Sequence, residues 1–106
     1  MDKIAILVTA SSMDEAAKIG RTLVEEGFAA CANIVEGVRS IYRWKGEVCD
    51  DQECLMVVKT TAPNFDAVEK RVRELHSYEV PEVIAIPIVK GSKPYLDWLE
   101  ENSRIG

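Results

Sequence analysis

A chain of 106 residues with 47% apolar content is long enough for one domain with one core and too short for two. Its 13 basic and 18 acidic side chains give a net charge of -5, so its surface repels phosphate backbones and anionic lipid headgroups. We therefore expect one domain over residues 1–106, with neither nucleic acid nor a membrane as a partner.

The chain opens with the pattern of a strand followed by a helix. Residues Lys3–Thr9 are a short apolar run rich in β-branched side chains, which is typical of a buried strand. This run is too short to span a membrane, and the acid before it does not fit a signal peptide, so we expect a cytoplasmic protein. Ser12 and Glu15 then form a capping-box pattern, and apolar residues recur at helical spacing until Gly27. The sequence thus predicts an amphipathic helix.

Two long strand patterns follow and predict a β-hairpin. Residues 30–44 and residues 47–60 both have strand-like composition, and the second ends in the apolar run CLMVVKTT. Lys45 and Gly46 separate them and form a turn pair.

The C-terminal half predicts a second helix, a strand and a short helical tail. Pro63 suits the first turn of the helix, and Pro87 within the strand pattern 83–89 indicates an edge position or a bulge. Ser92 and Pro94 open the tail. The whole order predicts an α+β fold, a ferredoxin-like βαββαβ sandwich with an extended β-hairpin and a C-terminal helix.

The predicted hairpin is longer than the helices that should cover it. A fifteen-residue helix spans about 22 Å, whereas a fourteen-residue strand reaches about 45 Å. The uncovered half would expose apolar and aromatic side chains, namely Ile41, Tyr42, Trp44 and Val48. We therefore expect a homo-oligomer with this hairpin as its interface. The alternative is a twisted hairpin that folds back over its own sheet.

The segment EVCDDQEC, Glu47–Cys54, concentrates thiols and carboxylates and suggests a metal site at first sight. In a strand, however, alternate side chains face opposite sides, so this cluster is divided between two faces. One face takes Cys49, Asp51 and Glu53, and the other takes Asp50, Gln52 and Cys54. We interpret these carboxylates as solvated edge charges that discourage unwanted strand pairing. The three cysteines have no Cys-x-x-Cys spacing and indicate reduced thiols.

His76 is the only histidine and lies where the second helix should end. A helix C-terminal or interface role is one interpretation, and a metal ligand completed by other segments is the other. A lone histidine completes no catalytic triad here, and the sequence has no phosphate-binding GxxxxGK loop.

The stretch VEGVRSIYR, residues 35–43, has a faint similarity to the phosphate-binding loop of acylphosphatases, which share the ferredoxin-like order. It lies after the first helix instead of before it, and it is one residue too long before Arg43. A small hydrolase is therefore the least favoured function.

Longer motifs resemble one family over nearly the whole chain. EEGFAACANIVEGVRSIYRWKGEV, VVKTT, VRELHSYEVPEVIAIPIV and YLDWL are similar to segments of the divalent-cation tolerance proteins, the CutA family. The resemblance implies a cytoplasmic, non-enzymatic homotrimer of ferredoxin-like subunits whose hairpins join in intersubunit sheets, with an architecture similar to that of PII signalling proteins.

The resemblance also implies a link to copper or another divalent cation. Family members with a copper site have a cysteine near the end of the first strand and paired histidines before YEVPE. In this sequence those positions hold Val8, Leu75 and His76, so His76 is the one metal candidate that carries over. One imidazole holds copper weakly without further ligands. Cys31 matches a family position but has the apolar surroundings of a buried residue.

The resemblance further implies a ligand cleft between subunits. Its matching residues here are Trp44, Lys59, Tyr78, Glu82, Tyr95 and Trp98. Aromatic faces with a lysine and a carboxylate suit a small polar or anionic ligand. Packing at the interface is the alternative role of Tyr95 and Trp98. The leading hypothesis is a trimer that binds a metal ion or small ligand in metal tolerance, and the second is a structural scaffold without a ligand.

Overall fold

The computed structural model describes residues 2–105. It confirms the predicted α+β fold and the order of its elements. The elements are β1 (Lys3–Ala10), α1 (Met13–Glu25), β2 (Cys31–Trp44), β3 (Glu47–Thr61), a 3-10 turn (Ala62–Asn64), α2 (Phe65–Leu75), β4 (Val83–Pro87) and α3 (Lys93–Glu101).

The four strands form one antiparallel sheet in the order β2-β3-β1-β4. β1 pairs with β3 only from Cys54 to Thr61, so the first half of β3 pairs with β2 alone. We call Val38–Trp44 and Glu47–Glu53 the outer hairpin. It extends beyond the four-stranded part of the sheet, and the long axis of the subunit measures 44 Å against 27 and 21 Å for the other two.

The core lies on the face of the sheet covered by α1 and α2. The alternating residues Ile4, Ile6 and Val8 of β1 are buried there, together with one face of each helix. α3 packs on the opposite face, because Lys3 and Lys59, at the intervening strand positions, meet Glu100 and Tyr95 of that helix.

Helix α1 begins and ends close to the predicted positions. Ser12 is its N-cap, and the Ser12 hydroxyl accepts a hydrogen bond from the Glu15 N–H at 3.1 Å. The Glu15 carboxylate does not complete the capping box with Ser12 but accepts from Ser11 instead. After the helix, Gly27 has a φ of 78°, a left-handed conformation that glycine adopts without a Cβ penalty.

Two boundaries in the C-terminal half differ from prediction. Pro63 lies in the 3-10 turn, so α2 begins only at Phe65. β4 ends at Pro87, short of residue 89, although the Ile88 N–H still donates to the Lys3 carbonyl at 3.0 Å. The predicted edge position is confirmed, since β4 is the last strand of the sheet.

The hairpin turn and a bulge shape the outer hairpin. Lys45 and Gly46 both have positive φ, 50° and 82°, which matches the twist of a two-residue hairpin. In β2 the register shifts between Val35 and Val38, so that Glu36 and Gly37 together oppose one residue of β3. This bulge was not predicted, and it bends β2 where the outer hairpin begins.

Candidate functional site

A groove of about 530 Å³ lies between the outer hairpin and the segment that leads from α2 to β4. We call residues 76–82 the α2–β4 loop. Three aromatic side chains line the groove, Tyr42 and Trp44 from β2 and Tyr78 from the loop. The sequence predicted that no helix of the subunit covers the outer hairpin, and the structure adds that this loop shields one side of it.

The groove is also acidic. Glu53 of the outer hairpin and Glu79 and Glu82 of the α2–β4 loop contribute three carboxylates to its lining. Among the residues that the structure describes, no lysine, arginine or histidine lines it. The charged side chains of the lining itself are therefore all carboxylates.

His76 anchors the α2–β4 loop at the end of β1. Its side chain is fully buried, and its Nδ1 accepts a hydrogen bond from the Tyr78 N–H at 3.0 Å. Because Nδ1 is the acceptor, the ring proton lies on Nε2, which donates to the Thr9 carbonyl at 2.6 Å. The ring also packs against the tilted Tyr78 ring, with centroids 4.5 Å apart. His76 thus fixes the direction in which the chain leaves α2 towards Tyr78.

Glu15 forms a second anchor for the same loop. Its carboxylate accepts from the Ser77 N–H at 2.8 Å and from the N–H and hydroxyl of Ser11 at 3.0 and 2.9 Å. Partial burial acts to raise the pKa of Glu15, but the hydrogen bonds from Ser77 and Ser11 outweigh it and lower the pKa from 4.5 to about 2.

Two tyrosine hydroxyls connect the walls of the groove to carboxylates. The Tyr78 hydroxyl donates to Glu53 Oε2 at 2.6 Å, and the Tyr42 hydroxyl donates to Asp51 Oδ2 at 2.6 Å. The Asp51 bond raises the pKa of Tyr42 to about 12, with added effects of desolvation and of nearby acidic groups. Burial, the bond to Glu53 and neighbouring negative charges raise the pKa of Tyr78 far above its ordinary value.

A cation of the chain itself lies at the end of the groove. The Lys45 ammonium is 5.6 Å from the centroid of the Trp44 ring, within the range of a cation–π contact. It is also 3.9 Å from the Glu79 carboxylate. The pair is exposed, so it contributes little stability.

The structure divides the predicted cleft residues into two groups. Trp44, Tyr78 and Glu82 line the groove. The Lys59 ammonium lies 5.7 Å from the Tyr95 ring, which packs against Trp98 at a centroid distance of 5.4 Å. Trp44 pairs with Glu47, and the strand from Glu47 to Lys59 covers about 40 Å. One subunit therefore does not bring the two groups together.

The predicted metal position does not present a free imidazole. Both nitrogens of His76 have hydrogen-bond partners, Val8 is fully buried and Leu75 packs against the core. Within residues 2–105 no three side chains of His, Cys, Asp or Glu come together in a way that could hold a metal ion. Cys31 is half-buried, with its thiol 3.4 Å from the Asn33 Oδ1.

The segment Glu47–Cys54 is a regular part of β3, as predicted, but its carboxylates differ in environment. Asp50 is a solvated edge charge in a bidentate pair with Arg39. The same interpretation is wrong for Glu53, which is only 8% exposed because the α2–β4 loop covers it. No sequence pattern predicted this cover, since the loop has neither helical nor strand periodicity.

The stretch with a faint similarity to acylphosphatases does not form a phosphate-binding loop. Residues 35–43 lie within β2. Arg39 is paired with Asp50, and Arg43 donates to the Gly46 carbonyl at 3.4 Å.

The sheet order, with α1 and α2 on one face, defines a ferredoxin-like α+β protein with an extended hairpin. Residues 4–102 match the family described as CutA1 divalent ion tolerance protein, and the chain belongs to this family. No helix among residues 2–105 is long and apolar enough to cross a bilayer.

Relatives resemble the chain over almost its full length. It is 53% identical over 98 residues to the divalent-cation tolerance protein CutA of Thermus thermophilus, covering 92% of this chain and 95% of that protein. A solved structure of the Thermus thermophilus protein has a TM-score of 0.94 at 51% identity, over 96% of this chain and 99% of that one.

Other relatives are named for different compartments. The chain is 41% identical over 101 residues to the chloroplastic CutA of Arabidopsis thaliana, covering 95% of this chain and 56% of that longer protein. A structure called the periplasmic divalent cation tolerance protein CutA of Archaeoglobus fulgidus has a TM-score of 0.92 at 38% identity, over 98% of this chain and 100% of that one. The cytoplasmic location of this chain therefore stays a prediction.

Proposed function

We propose that this protein acts in divalent-cation tolerance as a cytoplasmic, non-enzymatic homotrimer that binds a small ligand or a metal ion in clefts between its subunits. The observation that carries the proposal is the separation of the cleft residues into two aromatic groups on one subunit. Tyr78 is bonded to Glu53, about 20 Å along β3 from Lys59, and Trp44 lies about 40 Å from the same lysine. A second copy can place its Lys59 group beside the Trp44 group of the first.

The exposed surface of the outer hairpin supports an oligomer. Ile41 and Val48 are each 65% exposed, and Tyr42 and Trp44 are exposed beside them. Among residues 2–105, no strand pairs with the outer edge of β2. A long apolar edge of this kind pairs readily with another chain, so association of copies buries both the side chains and the edge.

A second exposed edge supports a ring in preference to a two-fold dimer. β4 is the other edge of the sheet, and Ile84 and Ile86 on it are about half exposed. When two different edges meet, the contact is heterologous, and it forms a cyclic ring where the rotation between copies closes. The smallest ring of heterologous contacts is a trimer.

The chemistry of the two groups supports a ligand-binding role. Together they supply aromatic faces, one lysine and several carboxylates, which suit a small polar ligand. If a divalent ion such as copper is the ligand, carboxylate oxygens are its available donors, because the His76 nitrogens are engaged.

Titration calorimetry on the assembled protein tests ligand binding. Copper chloride, zinc chloride and ATP are titrated into the wild type, the Lys59→Gln variant and a Lys18→Gln control that removes an equal charge from α1. The expected result is a saturable signal that Lys18→Gln retains. Lys59→Gln should weaken it if the ligand is the anionic ATP, and should not weaken it if the ligand is a metal ion held by carboxylates. Flat titrations of an intact trimer across this panel would contradict the ligand role and favour the structural scaffold.

A further inference from the structure

We propose that the cleft between two subunits binds a zwitterion, an apolar α-amino acid whose carboxylate meets Lys59 of one subunit and whose ammonium group meets Glu82 of the partner subunit. This inference rests on the proposed function and gives the chemical class of its small ligand. The site is incomplete in a single subunit, because Glu53 in the lining of the groove is about 20 Å along β3 from Lys59.

The two groups of cleft residues lie on the same face of the sheet. Glu53 and Lys59 are six positions apart on β3, and side chains an even number of positions apart along a strand point to the same side. Trp44 pairs with Glu47, six positions before Glu53, so it also faces that side. The Tyr95 ring of α3 packs on this face as well. Subunits that associate through this face can therefore bring the Lys59 group of one against the groove of the other.

Lys59 has no counterion within its own subunit. Its side chain is partly buried and its Nζ lies 5.7 Å from the Tyr95 ring centroid, but among residues 2–105 no carboxylate forms an ion pair with it. The Tyr95 and Trp98 rings beside it are exposed, so a ligand can reach the ammonium group. Once association removes the remaining water, this charge needs an anion.

Glu82 is the matching carboxylate of the groove. Glu53 already accepts a tyrosine hydroxyl, and Glu79 lies 3.9 Å from the Lys45 ammonium. Among the described residues no cation pairs with the exposed Glu82 carboxylate. It lines the same groove as the Trp44 ring, whose electron-rich face attracts cations. When a second copy covers the groove, this carboxylate needs a cation.

A zwitterion satisfies both charges at once. A simple anion would pair with Lys59 but be repelled by the carboxylates, and a simple cation would leave Lys59 without a partner. An amino acid carries both groups on one carbon, and its apolar side chain can pack on the exposed Tyr95 and Trp98 rings. A direct ion pair between Lys59 and Glu82 is the competing arrangement, but it leaves the groove of about 530 Å³ without a ligand.

Three leucine derivatives of different charge test the proposal. L-leucine, N-acetyl-L-leucine and L-leucinamide are titrated by calorimetry into the assembled wild-type protein below pH 7, where a free α-amino group is charged. We expect a saturable signal with leucine, with one molecule bound per subunit. The other two should bind at least roughly tenfold more weakly, because each lacks one charged group. Equal affinities for all three, or no saturable signal with leucine, would overturn the proposal.

Charge variants assign the two ends of the ligand. Lys59→Gln and Glu82→Gln should each weaken leucine binding roughly tenfold, and Lys59→Arg, which keeps the charge, should weaken it less. Lys59→Gln should leave the affinity for leucinamide unchanged, and Glu82→Gln should leave that for N-acetyl-leucine no weaker than in the wild type. Leucine binding that neither variant changes would contradict these contacts.

Lys70→Gln and Asp66→Asn are the matched controls. They remove the same charges from exposed positions of α2, which lies on the other face of the sheet. Both variants should bind leucine as the wild type does. A loss equal to that of Lys59→Gln or Glu82→Gln would indicate a general charge effect and contradict a local site.

Sedimentation equilibrium on the same samples separates this inference from the proposed function. A trimer that binds ATP or copper chloride but not leucine would overturn the zwitterion site and leave the proposed function intact. A trimer without leucine binding that Lys59→Gln and Glu82→Gln both dissociate would show the direct ion pair instead. A protein of one chain mass would overturn both, since Lys59 and Glu82 then never share a cleft.

Discussion

The Tyr78 hydroxyl donates a 2.6 Å hydrogen bond to Glu53 Oε2 and thereby joins the α2–β4 loop to the outer hairpin. The two residues lie on opposite walls of the groove, and Glu53 is 8% exposed. This bond therefore holds the groove in shape, and it satisfies a carboxylate that would otherwise be buried without a partner.

Tyr78→Phe should destabilise the fold by about 1–3 kcal/mol, because it leaves the Glu53 carboxylate without its donor. Tyr42→Phe is the matched control. It removes a hydrogen bond of the same 2.6 Å length, made to the exposed Asp51, and should lower the free energy of unfolding by less. Urea unfolding of the two variants gives the comparison. Equal losses of free energy of unfolding would contradict the assigned role of Glu53.

His76→Ala should lower the free energy of unfolding by about 2–4 kcal/mol, since it removes a fully buried ring and leaves the Tyr78 N–H and the Thr9 carbonyl unpaired. It should not change the affinity for zinc measured by calorimetry, because neither ring nitrogen is free. Loss of zinc binding with unchanged stability would show that His76 is a ligand after all.

Glu15 should give the fold a pH-dependent contribution to stability. Its pKa in the folded state is about 2, below its ordinary value of 4.5, so the folded protein holds the ionised form more strongly than the unfolded chain. This contribution is fully present above pH 4.5 and is lost as the pH falls towards 2. Glu15→Gln should therefore be less stable at neutral pH and lose stability less steeply below pH 4.5.

The control for that experiment is Glu25→Gln, in which an exposed carboxylate 3.6 Å from Arg21 is removed from the same helix. Urea unfolding at a series of pH values between 2 and 7 gives both profiles. If the Glu15→Gln profile runs parallel to that of the wild type, the hydrogen bonds from Ser77 and Ser11 do not hold the carboxylate as described.

Gly27 and Gly37 have the same backbone conformation but different surroundings, so alanine substitutions at these two positions distinguish backbone strain from steric overlap. Gly27 and Gly37 have φ of 78° and 79°, so alanine at either position costs about 1–2 kcal/mol in backbone energy. A Cβ at Gly37 would meet nothing within 4 Å, whereas at Gly27 it would overlap the Arg104 carbonyl oxygen. Gly27→Ala should therefore have a clearly lower melting temperature than Gly37→Ala. Equal melting temperatures would mean that the C-terminal segment does not pack against Gly27.

Local signals in the sequence predicted most of the fold. Ser12 marks the start of α1, and Lys45 with Gly46 marks the hairpin turn, because each acts through hydrogen bonds or dihedral angles within a few residues. The bulge at Glu36 and Gly37 was missed. Its only sign in the sequence is a glycine in a strand pattern, which also suits other roles.

The candidate site was only partly predictable. Trp44, Tyr78 and Glu82 came from the family resemblance, and the structure places all three on the groove. Glu53 and Glu79 were missed as site residues, because their position depends on the path of the α2–β4 loop. That path is fixed by His76 and Glu15 through contacts distant in sequence, which periodicity does not reveal.

Sedimentation equilibrium at micromolar concentration tests the trimer itself, because the shared clefts exist only if copies of the chain associate. We expect a particle of three chain masses of 11.8 kDa each. Val48→Glu on the exposed outer hairpin should shift the particle towards one chain mass, while Val24→Glu on α1 should not. A well-folded wild-type protein of one chain mass would contradict it.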